Sequence, residues 1–174
     1  DRFPLHSLVL EDIQNIDHRP KIEEYDDYLF IIFKMLQWDD RERKITSEQV
    51  SLIVGREYVL TFQEREGDVF EPVRERIRNG KGRVRKSGAD YLAYALLDTV
   101  VDHYYLLIEA LEDNVEEAED AMRERSAAYD AGELLKLRKQ VILLRKSVWP
   151  LREMIHSCLR EEYVLISQST KLDR

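Results

Sequence analysis

The chain has 174 residues, 44% of them hydrophobic and 36% charged, with a formal net charge of −8. That is apolar material for one ordinary domain with a helical extension, and the acidic balance argues against a general nucleic-acid binder and for a surface that attracts cations. The single cysteine, Cys158, excludes an intramolecular disulfide and fits a reducing compartment, while no apolar run reaches the roughly 18 residues that a membrane helix needs.

In chain order, Asp1-Arg2-Phe3 reads as a trimmed start with no signal peptide. A short helix is expected over Leu8 to Ile13, then a loop closed by Pro20. Residues 28–38 are apolar except for Lys34 and Gln37, as in a strand buried on both faces. Asp39 to Lys44 is a charged turn. Gln49 to Val54 and Tyr58 to Gln63 read as two more strands, joined as a hairpin through Gly55-Arg56-Glu57. Val69 to Asn79 reads as a short helix, with Asp68 able to cap its start and Gly80 its end. The basic loop from Gly80 to Gly88 lacks the order of a phosphate-binding loop and reads as a connector.

Beyond Gly88 the apolar period changes. Tyr94, Leu97, Val101, Tyr104, Ile108, Leu111, Val115, Ala118 and Met122 recur at alternating steps of three and four. This predicts a coiled-coil seam on one helix of about 36 residues, roughly 54 Å long. Tyr129-Asp130-Ala131-Gly132 breaks the pattern, which resumes at Leu134, Leu137, Val141, Leu144, Val148, Leu151 and Ile155. Two such helices with a short joint fold back as an antiparallel hairpin. The first is acidic toward its end (Glu109 to Glu124) and the second is basic (Lys136 to Arg160). Pro150, inside the second, predicts a kink. The expected fold is α/β, a mixed β-sheet flanked by helices with this long hairpin in the C-terminal half. Its parts are a sheet portion at 1–87, the hairpin at 88–160 and a linker at 161–174.

Two acidic pairs stand out as candidate sites. Glu11-Asp12 puts two hard oxygen donors on a short helix, which suits a Mg²⁺ ion that keeps most of its waters; an ordinary surface pair is the plainer reading. Asp98 and Asp102 stand one turn apart, with Asp98 beside the seam residue Leu97, where an acid needs a partner. The plainer partner is an Arg or Lys from the sheet portion. The four histidines share no zinc-site spacing, and no nucleophile, base and orienting acid combine, so an enzyme is not expected.

One ordered set of motifs goes further. Leu8-Val9-Leu10-Glu11-Asp12-Ile13 is followed by Arg19-Pro20-Lys21-Ile22-Glu23-Glu24-Tyr25, Glu48-Gln49-Val50-Ser51, Gly88-Ala89-Asp90-Tyr91-Leu92 and Trp149-Pro150-Leu151-Arg152-Glu153. From about residue 5 to about residue 155 this order resembles the cytosolic domain of the CorA family of magnesium channels.

The resemblance implies the regulatory portion of a homopentameric Mg²⁺ (and Co²⁺) channel of the inner membrane, lying on the cytoplasmic side, tied to the membrane through a further C-terminal segment, with no nucleic acid as partner. It implies that Asp12 helps hold a regulatory Mg²⁺ between neighbouring subunits and favours the closed state, that Glu11 lies beside it, and that Asp98 contributes to a second ion nearby. Co²⁺ or Ca²⁺ can substitute. The family's Gly-Met-Asn pore motif and membrane helices are absent, and His6-Ser7 stands where the family usually has His-Pro. An excised piece is therefore expected, carrying sensing residues but unable to conduct. The rivals are the cytosolic domain of a ZntB-like zinc transporter and a soluble coiled-coil interaction module.

Overall fold

The computed structural model describes residues 3–80, 82–123 and 131–172. A short helix, α1 (Ser7–Gln14), leads to four strands: β1 (Lys21–Glu24), β2 (Tyr28–Asp39), β3 (Lys44–Gly55) and β4 (Val59–Gln63). Helices α2 (Glu71–Arg78), α3 (Ala89–Arg123), α4 (Ala131–Arg160) and α5 (Gln168–Leu172) follow. The strands pair in sequence order, every pair antiparallel. The α/β class holds; among the described residues the pairing is narrower than the mixed sheet expected. The joint at Tyr129-Asp130 and the acid Glu124 lie outside the described residues.

Strand β2 is the centre of the core, and its period of two sorts the apolar residues between two layers. Tyr28, Phe30 and Ile32 meet Val9 of α1 on one face of the sheet. Leu29, Ile31, Phe33 and Met35 face α3 and α4 on the other, with Val50, Leu52 and Val54 of β3. Burial on both faces explains why β2 is almost without polar residues. Strand β3 begins at Lys44, five residues before the expected start, because its first half is polar although Glu48 and Gln49 are buried.

The two long helices are antiparallel, as expected. Leu97 and Asp98 near the start of α3 share a cavity with Ile155 and Cys158 near the end of α4. At the far end Asn114 and Gln140 meet through the turn between β2 and β3. There Arg43, with φ 47°, donates to Asn114 Oδ1 and Glu117 Oε2, each at 2.7 Å. Gln140 accepts from the Ile45 amide at 3.2 Å and donates to the Arg43 carbonyl at 3.3 Å. The turn is thus clamped between the helices.

The deepest stripe of α3 is Ala93, Leu96, Val100, Tyr104, Leu107, Leu111, Asn114 and Ala118. The expected seam lies mostly one residue later: Leu97, Val101 and Ile108 are half-buried, and Val115 and Met122 are exposed. The shift arises because α3 packs on the sheet as well as on α4, and the sheet side is the better covered. On α4, Leu151 is buried as expected, whereas Leu134 and Val141 are exposed. Helix α4 continues through Pro150.

Candidate functional site

Helix α1 starts on His6, whose Nδ1 accepts from the Leu8 amide at 3.2 Å, while the His6 amide donates to the Tyr28 hydroxyl at 3.0 Å. Val9 drops into the core and fixes the helix rotation, which leaves Glu11 exposed and Asp12 half-buried. Both acids fall in the second half of the helix, near its negative end, where the last turn carries no basic residue.

Asp12 is not a bare carboxylate. Its Oδ2 lies 2.6 Å from Lys21 Nζ and its Oδ1 lies 3.2 Å from His18 Nε2. Lys21 is shared: it also reaches Glu23 Oε1 at 2.7 Å, and its ammonium lies 5.6 Å from the Phe30 ring centroid. Burial pushes the Lys21 pKa down, but its bonds to Asp12 and Glu23 outweigh this and raise it.

Gln49 holds the region together. Its side chain, 3% exposed, donates to the carbonyls of Asp12 and Asn15 and accepts from the His18 amide. The motif Glu48-Gln49-Val50-Ser51 does not by itself reveal this task of Gln49. A buried amide in an apolar strand was the signal that it organises neighbouring backbone.

Asp98 lies elsewhere. It lines a cavity of about 320 Å³ whose walls are otherwise mainly apolar, among them Leu29, Ile31 and Val54 from the sheet. Its pKa is raised, first by burial and then by Asp102 one turn on, against the pull of Arg76 from α2. Arg76 acts at longer range only: among the described residues Asp98 forms no ion pair with the Arg or Lys expected from the sheet portion. Asp12, beside Lys21 and Phe30, is on the α1 face of the sheet; Asp98 is on the α3 face. One copy of the chain does not bring the two together. Among the described residues, no group of three or more His, Cys, Asp or Glu is placed to hold a metal ion.

Asp90, in the motif at the start of α3, anchors α5. Its Oδ2 accepts from the Ser167 amide at 3.0 Å and from the Ser167 and Thr170 hydroxyls at 2.7 Å. Burial would raise the Asp90 pKa, but these bonds lower it. No helix among the described residues is long and apolar enough to cross a membrane.

Comparison with known proteins places this architecture. The CorA-like Mg²⁺ transporter protein family model matches residues 1–173. The cobalt/magnesium transport protein CorA of Thermotoga maritima is 45% identical over 168 residues, covering 97% of this chain and 48% of that protein. The zinc transport protein ZntB of Photorhabdus laumondii is 27% identical over 153 residues, covering 88% of this chain and 46% of that protein. Among solved structures, the soluble domain of CorA from Methanocaldococcus jannaschii superposes with a TM-score of 0.77 at 23% identity, over 93% of this chain and 65% of that one. The chain spans about half the length of these two transport proteins. With the family model matching residues 1–173 and 45% identity to a curated relative, the chain belongs to the CorA-like Mg²⁺ transporter family.

Proposed function

We propose that this chain is the divalent-cation-sensing portion of a CorA-like magnesium and cobalt transporter, with Asp12 as the principal cation-facing residue. The observation that carries the reading is the placement of Glu11 and Asp12 near the negative end of α1, without a basic residue in its last turn. A hydrated Mg²⁺ needs only one or two protein carboxylates. Lys21 is the built-in stand-in for that ion. When a divalent cation reaches Asp12, Lys21 swings away and keeps Glu23, so no charge is left unpaired.

Because Asp12 and Asp98 lie on opposite faces, Asp98 joins the site from a neighbouring copy. The separation asks for a head-to-tail contact, and we read the assembly as a homopentamer in which Mg²⁺ between subunits favours the closed state. Loss of the ion leaves carboxylates facing one another, and their repulsion loosens the ring. Co²⁺ or Ca²⁺ fills the same place. This portion lies on the cytoplasmic side of the inner membrane, tied to it by a membrane segment, and performs no enzymatic step. In this reading residues 1–87 carry the ion-facing helix, 88–160 form the hairpin, and 161–174 lead toward the membrane. The Thermotoga maritima relative, at 45% identity, favours magnesium or cobalt as cargo; the relative named for zinc, at 27%, supports the second reading.

NMR titration of the chain with Mg²⁺ or Co²⁺ tests the assignment. Amides around Asp12 shift first, and Asp12→Asn removes the response with the fold intact. Shifts gathered instead along Glu109 to Asp120, and unchanged in Asp12→Asn, refute it.

A further inference from the structure

The groove between α4 and residues 17–20 has no role in the proposed cation sensing. Strand β1 stops at Lys21, opposite Ile32, while β2 runs on to Asp39. Residues 17–20 and helix α4 flank the space beside that extension and enclose a groove of about 780 Å³, with Lys34 and Ser47 among its lining residues. This volume suits a small-molecule ligand.

Its charge is opposite to that of the chain. On a protein of net charge −8, the groove gathers Arg19, Lys34, Arg145 and Lys146 against one carboxylate, Asp17. Arg19, Arg145 and Lys146 form no ion pair among the described residues. Lys34 is half-buried, and its Nζ donates to the Ile16 carbonyl at 2.7 Å without a carboxylate in contact. Burial lowers its pKa despite the more distant Glu64 and Asp17. Like charges drawn together in a concave surface repel unless an anion joins them. Trp149, which also lines the groove, is 57% exposed and offers a large aromatic surface, with the Arg152 guanidinium 6.0 Å from its ring centroid.

We propose that this groove binds a nucleotide, its phosphates held by Arg145, Lys146, Arg19 and Lys34 and its base stacked on Trp149. The cations match a multiply charged phosphate chain, and the indole face supplies the stacking partner that every base accepts. His18 lines the groove and also lies 3.2 Å from Asp12, so the nucleotide would sit beside the proposed cation site without sharing its carboxylates.

The test follows Trp149 fluorescence in a Trp38→Phe background, which leaves one tryptophan. ATP is titrated in EDTA, so that the cation site plays no part. ATP quenches Trp149 and tripolyphosphate competes, while adenosine alone binds weakly. Arg145→Glu and Lys146→Glu each weaken ATP by about tenfold or more, the loss expected for a charge-assisted contact. Lys139→Glu, on the same helix outside the groove, leaves affinity unchanged. Calorimetry with Trp149→Leu gives the base contribution without the fluorophore and shows weaker ATP binding. Absence of ATP binding at millimolar concentration by both methods overturns the proposal. So does equal affinity for ATP and tripolyphosphate that survives Trp149→Leu, which would make the groove a simple anion patch.

Discussion

Leu107→Ala and Val115→Ala together decide which stripe of α3 carries the fold. Leu107 is 1% exposed among the residues that join α3 to the sheet, whereas Val115, on the seam read from spacing, is 39% exposed. Leucine to alanine removes three carbons, worth about 2.4 kcal/mol at about 0.8 kcal/mol each. The cavity left in a packed interior brings the expected loss to about 3 kcal/mol or more. Valine to alanine at a position already partly in water removes two carbons and loses about 1 kcal/mol at most. Urea unfolding followed by circular dichroism reads the difference as a shift in midpoint at constant slope. Leu107→Ala should lower the midpoint at least twice as far as Val115→Ala. Equal losses, or a larger one for Val115→Ala, would mean that the helix faces its neighbours through the seam and that the packing described here is wrong.

Two further perturbations probe buried polar groups. Gln140→Ala removes the side chain that accepts from the Ile45 amide and should cost about 1–3 kcal/mol, with hydrogen exchange accelerating at Ile45 before the centre of β3; unchanged protection there would show that the clamp is dispensable. Glu48, 6% exposed, has its pKa raised above the ordinary 4.5, chiefly by burial and then by Glu64, with Asp68 adding and Arg65 opposing. The fold therefore favours the protonated form, so this contribution is present at low pH and is lost as pH rises from 4.5 through the raised value. Glu48→Gln should flatten the pH dependence above 4.5 and stabilise the chain at neutral pH, and an unchanged profile would refute the linkage.

What the sequence disclosed depended on how many demands each segment met at once. Strand β2 was legible because burial on both faces leaves almost no choice but apolar residues. The four residues of β1, Lys21-Ile22-Glu23-Glu24, carry no strand period, and their pairing comes from the neighbouring strand. The first half of β3 was hidden because Lys44, Thr46, Ser47 and Glu48 are polar, although Glu48 is buried by contacts distant in sequence. The seam on α3 was displaced because that helix serves two neighbours, and apolar period alone does not rank them. At the site, an acidic pair was visible as composition. Its ties to Lys21 and His18 were not, since they depend on how the loop after α1 turns back under the control of Gln49.

The separation of Asp12 and Asp98 by the thickness of the sheet has a consequence for symmetry. In a two-fold dimer the same patch meets itself, so both members of any cross-contact must lie on one surface. Residues on opposite surfaces do not meet that condition. Joining Asp12 of one copy to Asp98 of the next is a head-to-tail contact, which either closes into a ring or continues as a filament. An ion bridging these two carboxylates would therefore act as a fastener repeated once per subunit around a cycle, and the number of copies would be set by the angle between neighbours.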